Sequence, residues 1–418
     1  MFALIDCNNF YVSCERVFQP QFNKKPVVVL SNNDGCVISR SNEAKALEIP
    51  MGAAAFKYKK QFEEHDIKVF SSNYALYGDM SRRVMIILEN YSPNIEIYSI
   101  DEAFLKLTGF NDLDIIEESY KIRKQIHQWT GIPVSIGLAP SKSLAKIANK
   151  IAKKFSHKTL GVYSLDSQEK IIKALKWTSI EDVWGIGRRY AKLLKSTGVK
   201  NALDFTNLPD QWVKKNMNIL GLRLKKDLSG SSFIKLEDIR SQKKSIATTR
   251  SFEAVLTNLS DIEERVSTFA TSCAEKLRMQ NSCCTRLLIF LRSDPFKREE
   301  QYNNSCVIQL SYASDSSLIL SKQAIYGLQK IFKPGIAYKK AGVLALDLIS
   351  KENRQLNLFE SNIIKHDSLM KAIDTINYKY GSHRIKLANQ DLNRVWKMKQ
   401  ENLSPKFTTV LQEILKVK

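Results

Sequence analysis

Tyr98-Ser99-Ile100-Asp101-Glu102-Ala103-Phe104-Leu105 sets two adjacent carboxylates between apolar, strand-like runs. Ile95, Ile97 and Tyr98 alternate on one side and Phe104, Leu105 and Leu107 on the other, so the pattern predicts two short strands meeting at an acidic bend. Acid beside an apolar interior is costly unless it sits in water, pairs with a cationic side chain or holds a divalent cation. A third acid favours the cation. The chain opens Met1-Phe2-Ala3-Leu4-Ile5-Asp6, an apolar strand stopped by a carboxylate, followed by Cys7-Asn8-Asn9 and the pair Phe10-Tyr11. Strand 2–6, helix about 79–90, strands 95–99 and 102–107, helix about 115–129 and strand 133–138 make the βαββαβ order of a ferredoxin-like sheet. In that sheet the third strand lies antiparallel between the first and second, so Asp6 is expected beside Asp101 and Glu102. Three gathered carboxylates repel unless cations neutralise them, which predicts Mg²⁺, two ions at the spacing used for phosphoryl chemistry. Consecutive strand side chains point to opposite faces, so Asp101 and Glu102 converge only if the bend twists them together.

The 418 residues exceed one ordinary core and predict two to four domains of α+β type. Lys and Arg outnumber Asp and Glu by 64 to 43, a net charge of +21, and a chain that basic most often meets a polyanion. The first apolar run is broken at Asp6, too early for a signal peptide, and no stretch reaches transmembrane length. A cytoplasmic, nucleoid-associated protein without a membrane partner is expected. Seven cysteines without C-x-x-C spacing and five scattered histidines argue against a disulfide framework and a zinc site.

Between the first strand and helix 79–90 lies an insertion longer than an ordinary loop. It holds strand Pro26–Leu30, turn Asn32–Gly35, strand Cys36–Ser39 and a helix from Asn42 that carries Lys45, with Arg40 before it. Ser141 to Lys158 contains Lys142, Lys146, Lys150, Lys153, Lys154 and Lys158 and no acid, on a helix whose apolar face is Leu144, Ile147, Ala148 and Ile151. Like charges stacked three and four apart destabilise a free helix, so an anionic ligand is expected to offset them, a triphosphate or a nucleic-acid backbone. Residues 184–230 carry ten Lys or Arg against three Asp. Among them Trp184-Gly185-Ile186-Gly187-Arg188-Arg189 resembles a helix-hairpin-helix, whose glycines let a DNA backbone approach peptide N–H groups.

Ser229-Gly230-Ser231-Ser232 and Arg240-Ser241-Gln242-Lys243-Lys244 mark a flexible boundary. Beyond it strand 245–252, helix 260–280, strands 284–292 and 305–312, helix 316–332 and strand 341–349 repeat the βαββαβ order without the acids. This copy is assigned to gripping DNA, with Lys243, Lys244, Arg250, Arg286 and Arg292 as candidate phosphate contacts. The polar tether after 350 carries Gln355-Leu356-Asn357-Leu358-Phe359, and Leu369, Ile373 and Ile376 follow at helical spacing, with Trp396 beyond, as a small helical module.

Asp6-Cys7-Asn8-Asn9-Phe10-Tyr11, Ser99-Ile100-Asp101-Glu102-Ala103-Phe104 and Ser141-Lys142-Ser143-Leu144-Ala145-Lys146 together resemble the Y-family of translesion DNA polymerases. Ser31-Asn32-Asn33-Asp34-Gly35-Cys36, the segment 183–189 and the tail resemble its UmuC type. The resemblance runs nearly end to end and implies a right hand: palm 1–20 and 75–165, fingers 21–74, thumb 166–235, little finger 243–350 and a C-terminal tail 351–418. It implies error-prone, template-directed addition of deoxynucleoside triphosphates to primer-template DNA in the SOS response. Asp6, Asp101 and Glu102 would bind two Mg²⁺ with the Cys7 carbonyl as a further ligand. Tyr11 would be the steric gate against a ribose 2′-hydroxyl, Phe10 would pack beside the sugar, and Lys45 and Lys153 would contact the triphosphate. Gly185, Gly187, Arg188, Arg189, Lys243, Lys244 and Arg250 would contact DNA. Gln355, Leu356, Leu358 and Phe359 would bind the sliding clamp, and a processed UmuD-type dimer and RecA filaments would be further partners. Many relatives read Tyr-Glu-Ala-Arg where this chain has Asn42-Glu43-Ala44-Lys45, which replaces a bidentate guanidinium by a point charge. The same carboxylates would also suit a nucleotidyl cyclase, and the basic surface a non-catalytic DNA scaffold.

Overall fold

The computed structural model describes residues 1–107, 112–237, 242–297, 301–355, 363–381, 384–390 and 398–415. The chain forms two compact units, the first from 1–240 together with 400–418 and the second from 241–399.

In the first unit β1 (Phe2–Cys7) is buried along its whole length because it is the central strand of a five-stranded sheet with both faces covered. After α1 (Phe10–Phe18), β2 (Val27–Leu30) and β3 (Val37–Arg40) pair antiparallel. The short α2 (Asn42–Ala46) and then α3 (Ala55–Glu64) follow, and β4 (Lys68–Ser71) returns parallel to β2. This insertion has its own core around Val28, Val37, Ile49 and Phe62. Next, α4 (Tyr74–Glu89) starts at Asn73, whose side chain accepts from the Leu76 amide at 3.3 Å. Then β5 (Ile95–Ile97), β6 (Glu102–Lys106), α5 (Asp112–Thr130) and β7 (Val134–Ala139) complete the expected order.

Helix α6 (Lys142–Lys154), capped by Ser141, lies directly on the sheet. Gly137 makes that approach possible, because a Cβ there would meet the Asn149 amide nitrogen at 2.2 Å. Asn149 also ties the helix down by donating to the carbonyls of Leu4 at 3.2 Å and Ser135 at 2.7 Å. After the one-turn α7 (Ser156–Thr159), β8 (Val162–Ser164) adds a fifth strand parallel to β7. The sheet order is β5-β6-β1-β7-β8, with β6 antiparallel between β5 and β1 as expected of the ferredoxin-like motif. A cluster of helices follows, α8 (Gln168–Trp177), α9 (Arg188–Ser196), α10 (Ala202–Thr206) and α11 (Asp210–Leu228), packed around Leu194, Phe205, Val213 and Leu228.

The chain end returns to this unit. Ser71 donates its amide to the Asn402 carbonyl at 2.9 Å, the Asn402 amide donates to Ser71 Oγ at 3.0 Å, and Phe407 stacks on Phe18 at 4.9 Å. Residues 400–410 are therefore part of the first unit's packing, not of a tail apart from it.

The second unit contains β9 (Ile246–Leu256), α12 (Leu259–Met279), β10 (Ser282–Ser293), β11 (Asn303–Ser314), α13 (Ser317–Ile331) and β12 (Tyr338–Ser350). The element order repeats that of the first unit, but the sheet order β11-β10-β12-β9 does not. Here the first strand lies at an edge, and every pairing is antiparallel. A last helix, α14 (Ile363–Tyr380), is held by Met370, whose Sδ accepts from the Ser317 amide at 3.3 Å, and by Asp374, paired with Arg278 at 2.6 Å. This helix carries Leu369, Ile373 and Ile376 as their spacing predicts, with Leu369 and Ile376 45% and 36% exposed and Met370 1% exposed. The arginine contact and the thioether anchor its inward side. Among the described residues no helix is long and apolar enough to cross a membrane.

Candidate active site

Asp6 and Glu102 are register partners on the antiparallel strands β1 and β6, so their side chains leave the same face of the sheet. Burial pushes the Asp6 carboxyl up to about 7, the Glu102 charge beside it pushes the same way, and Lys153 opposes both. Lys153 Nζ lies 2.5 Å from Asp6 Oδ1, and Lys146 Nζ lies 2.8 Å from both oxygens of Glu102.

Asp101 does not complete the expected triad. It precedes β6 in the bend, where Ser99 Oγ donates to its Oδ1 at 2.5 Å and its carbonyl accepts from the Cys7 amide at 2.8 Å. Among the described residues no three His, Cys, Asp or Glu side chains stand close enough to hold an ion. Without an ion, Asp6 and Glu102 face each other across the rung while Asp101 is turned to the bend's own serine. Its charge nevertheless acts on Cys7 and Tyr11. The donor set fits a hard divalent cation at Asp6 and Glu102: two hard carboxylates share one face, and two ammonium groups stand in for the positive charge they require.

The lysines of α6 were expected to need an anionic ligand, and they have acids instead. Lys142 is buried against Glu96 at 2.6 Å, Lys146 pairs with Glu102, Lys150 with Asp182 at 2.7 Å, and Lys153 with Asp6. Lys142 also lies 4.7 Å from the Phe104 ring centroid, and Lys154 5.2 Å from that of Trp177.

From the insertion, Lys45 Nζ donates to Asn9 Oδ1 at 2.5 Å. Burial first, and then the charges of Arg40 and Lys153, push its ammonium pKa down, so Lys45 and Lys153 address the same region from two elements. Phe10 is only 3% exposed, which leaves little ring to touch a nucleotide. Tyr11 is partly exposed and stacks on Tyr77 with centroids 4.6 Å apart and planes within 15°, while Tyr74 meets it edge-on at 6.1 Å. Tyr74 and Tyr77, three apart on α4, carried no sequence signal beyond helical spacing.

Gly185 adopts φ +88° and Gly187 caps α9, where Arg188 and Arg189 are both exposed. Trp184 turns inward, its indole donating to Tyr98 Oη at 2.9 Å. In the second unit Lys243 and Lys244 are exposed before β9. Arg286 pairs with Asp347, and Arg292 donates to Asn303 Oδ1 at 2.8 Å. Arg250 stands opposite Ala341, a register parity that separates it from the face of Arg286 and Arg292. Gln355 is exposed; Leu356, Leu358, Phe359 and Trp396 lie outside the described residues.

Solved structures share this architecture. A Y-family DNA polymerase chimera of Dbh and Dpo4 matches with a TM-score of 0.67 at 22% identity, covering 84% of this chain and 100% of that one. An insertion ternary complex of Dbh DNA polymerase matches at 0.52 and 21% identity over the same shares. The fold is that of the Y-family DNA polymerases. The impB/mucB/samB family profile matches residues 5–150, its C-terminal domain profile 243–358, and a domain of unknown function, DUF4113, 367–417. Protein UmuC of Salmonella typhimurium strain LT2 is 41% identical with both chains covered in full, and Protein ImpB of Salmonella typhimurium is 38% identical with 99% of each covered. DNA polymerase IV 1 of Bacillus subtilis is 25% identical over 91% of each chain. The chain belongs to the impB/mucB/samB family, the UmuC type of Y-family DNA polymerase.

Proposed function

We infer that this chain is an error-prone translesion DNA polymerase, a DNA-directed nucleotidyltransferase that extends a primer opposite damaged template bases in the SOS response. Full-length likeness to UmuC and the Asp6–Glu102 pair at one end of the sheet's inner strands support the reading together. The family is dependent on divalent metal. Asp6 and Glu102 would hold the cation with the Cys7 carbonyl, and Asp101 would join them on releasing Ser99. Two Mg²⁺ ions, when bound, supply activation of the primer 3′-hydroxyl and charge stabilisation of the departing pyrophosphate.

Lys45 and Lys153 bind and orient the triphosphate of the incoming deoxynucleotide, Lys153 moving from Asp6 as the site fills. Tyr11 excludes the ribose 2′-hydroxyl, and Phe10, its ring centroid 5.7 Å from that of Tyr11, packs beside the sugar. Palm 1–20 and 75–165, fingers 21–74, thumb 166–235 and little finger 243–350 divide the work, with Gly185, Gly187, Arg188, Arg189, Lys243, Lys244 and Arg250 on DNA phosphates. The segment Gln355 to Phe359 docks on the sliding clamp, and a processed UmuD-type dimer and RecA filaments join in the cytoplasm at the nucleoid.

Primer extension with Mg²⁺ and deoxynucleotides, on damaged and undamaged templates and with and without partner proteins, tests this. Asp101→Ala is expected to abolish extension while DNA binding persists. Extension that survives overturns the site, and a cyclised product formed without primer moves the chain to a different chemistry.

A further inference from the structure

Glu15 has no exposed surface and sits on α1 among the apolar side chains of the palm core. Among the described residues its hydrogen-bond partners are all neutral. Its Oε1 accepts from Tyr77 Oη at 2.6 Å and from Ser404 Oγ at 2.9 Å, and its Oε2 accepts from Gln19 Nε2 at 3.4 Å. A buried carboxylate satisfied only by neutral donors is held by geometry, so each donor matters.

Ser404 is itself fixed. Asn73 Nδ2 donates to the Ser404 carbonyl at 3.1 Å, to its Oγ at 3.0 Å and to the Pro405 carbonyl at 3.1 Å. The same Asn73 caps α4, the helix that carries Tyr74 and Tyr77. On either side the segment is anchored by the Asn402–Ser71 pairing and the Phe407–Phe18 stack. Tyr77, fully buried, presents its ring face to Tyr11. A continuous path of contacts therefore runs from Ser404 through one carboxylate oxygen and one tyrosine hydroxyl to the underside of Tyr11.

We propose that residues 402–407 are a clasp that sets the position of the sugar gate, with Ser404 a positioning residue acting through Glu15 and Tyr77. The inference rests on Tyr11 being that gate. It gives a task to part of the stretch matched by a domain of unknown function. A gate that works by overlap is sensitive to small displacements, since about 1 Å of misplacement changes a rate by up to about a hundredfold. The ring plane of Tyr77 is the floor against which that overlap is defined.

The test is primer extension by the full chain, with its partner proteins where extension needs them, measuring kcat/KM for a deoxynucleotide and the matching ribonucleotide. Ser404→Ala and Tyr77→Phe each remove one hydroxyl at Glu15 Oε1, and each is expected to lower the deoxy-over-ribo preference by about tenfold. The double variant is expected to go no lower than the weaker single, because both hydroxyls serve one oxygen. Tyr11→Ala is expected to lower the preference further than either. Loss of rate that is equal for both sugars in Ser404→Ala and Tyr77→Phe, alongside an opened gate in Tyr11→Ala, overturns the clasp and leaves the gate standing. An unchanged preference in Tyr11→Ala overturns the gate, and the clasp with it. Should Ser404→Ala fail to fold, Tyr77→Phe carries the same decision.

Discussion

Lys153 closes on Asp6 at 2.5 Å, and Asp6 in turn faces Glu102 across one rung of the sheet. The lysine supplies positive charge at a carboxylate that burial makes expensive to ionise. Lys153→Met leaves that carboxyl without its partner, and urea unfolding in the presence of a chelator is expected to show a loss of about 1–3 kcal/mol. Adding Mg²⁺ is expected to restore most of it, because a divalent cation meets the same need. A variant indifferent to Mg²⁺ would mean that the pair does not bind the ion.

Lys142 and Glu96 form a different kind of pair, both buried, with Glu96 also accepting the Glu237 amide at 2.8 Å. Breaking a buried pair from one side leaves an uncompensated charge, so Lys142→Met is expected to destabilise the first unit by about 3–5 kcal/mol. The double variant Lys142→Met with Glu96→Leu is expected to lose less than the single one. Denaturant titration of the three proteins decides, and additive losses would refute the coupling.

Arg188 and Arg189 point into solvent at the start of α9, free to neutralise phosphates. Replacing both by Ala is expected to weaken DNA binding evenly across sequences and to reduce the slope of log affinity against log salt by about two. Fluorescence anisotropy over a salt series measures it. An unchanged slope takes the hairpin off the path of the DNA.

Burial holds the Glu15 carboxyl above its ordinary value of 4.5 in spite of three hydrogen-bond donors. A carboxyl raised in the folded state contributes stability that is complete below the unfolded pKa and is lost as pH rises through the folded one. Relative to Glu15→Gln, the native chain is therefore expected to lose unfolding free energy from pH 4.5 upward. Parallel stability curves for the two proteins would show that the carboxyl titrates normally.

The palm sheet was legible because its strands and helices are strongly periodic, and the Asp6–Glu102 meeting follows from strand order alone. What escaped has identifiable reasons. Three-residue β8 is too short to signal, and four-residue β4 lies in an insertion whose period is broken. In the second unit the element order was readable and the pairing was not, since a βαββαβ order is compatible with the first strand at centre or edge. The lysines of α6 looked unpaired because counting three and four residues along a helix cannot see Glu96, Glu102, Asp182 or Asp6. Ser404 and Glu15, 389 positions apart, meet only once the chain has folded.

The second unit is an insert, entered after residue 240 and left before residue 400. Two peptide crossings join the units where a simple tandem arrangement would have one. A protease that nicks the first crossing splits the chain into 1–240 and 241–418, which stay together through the end of the second piece packed on the first unit, and severing the second strands a short peptide still clipped to the palm through Asn402, Ser404 and Phe407. Digestion would thus yield a nicked but co-migrating pair before any free fragment, a behaviour written into the path of the backbone.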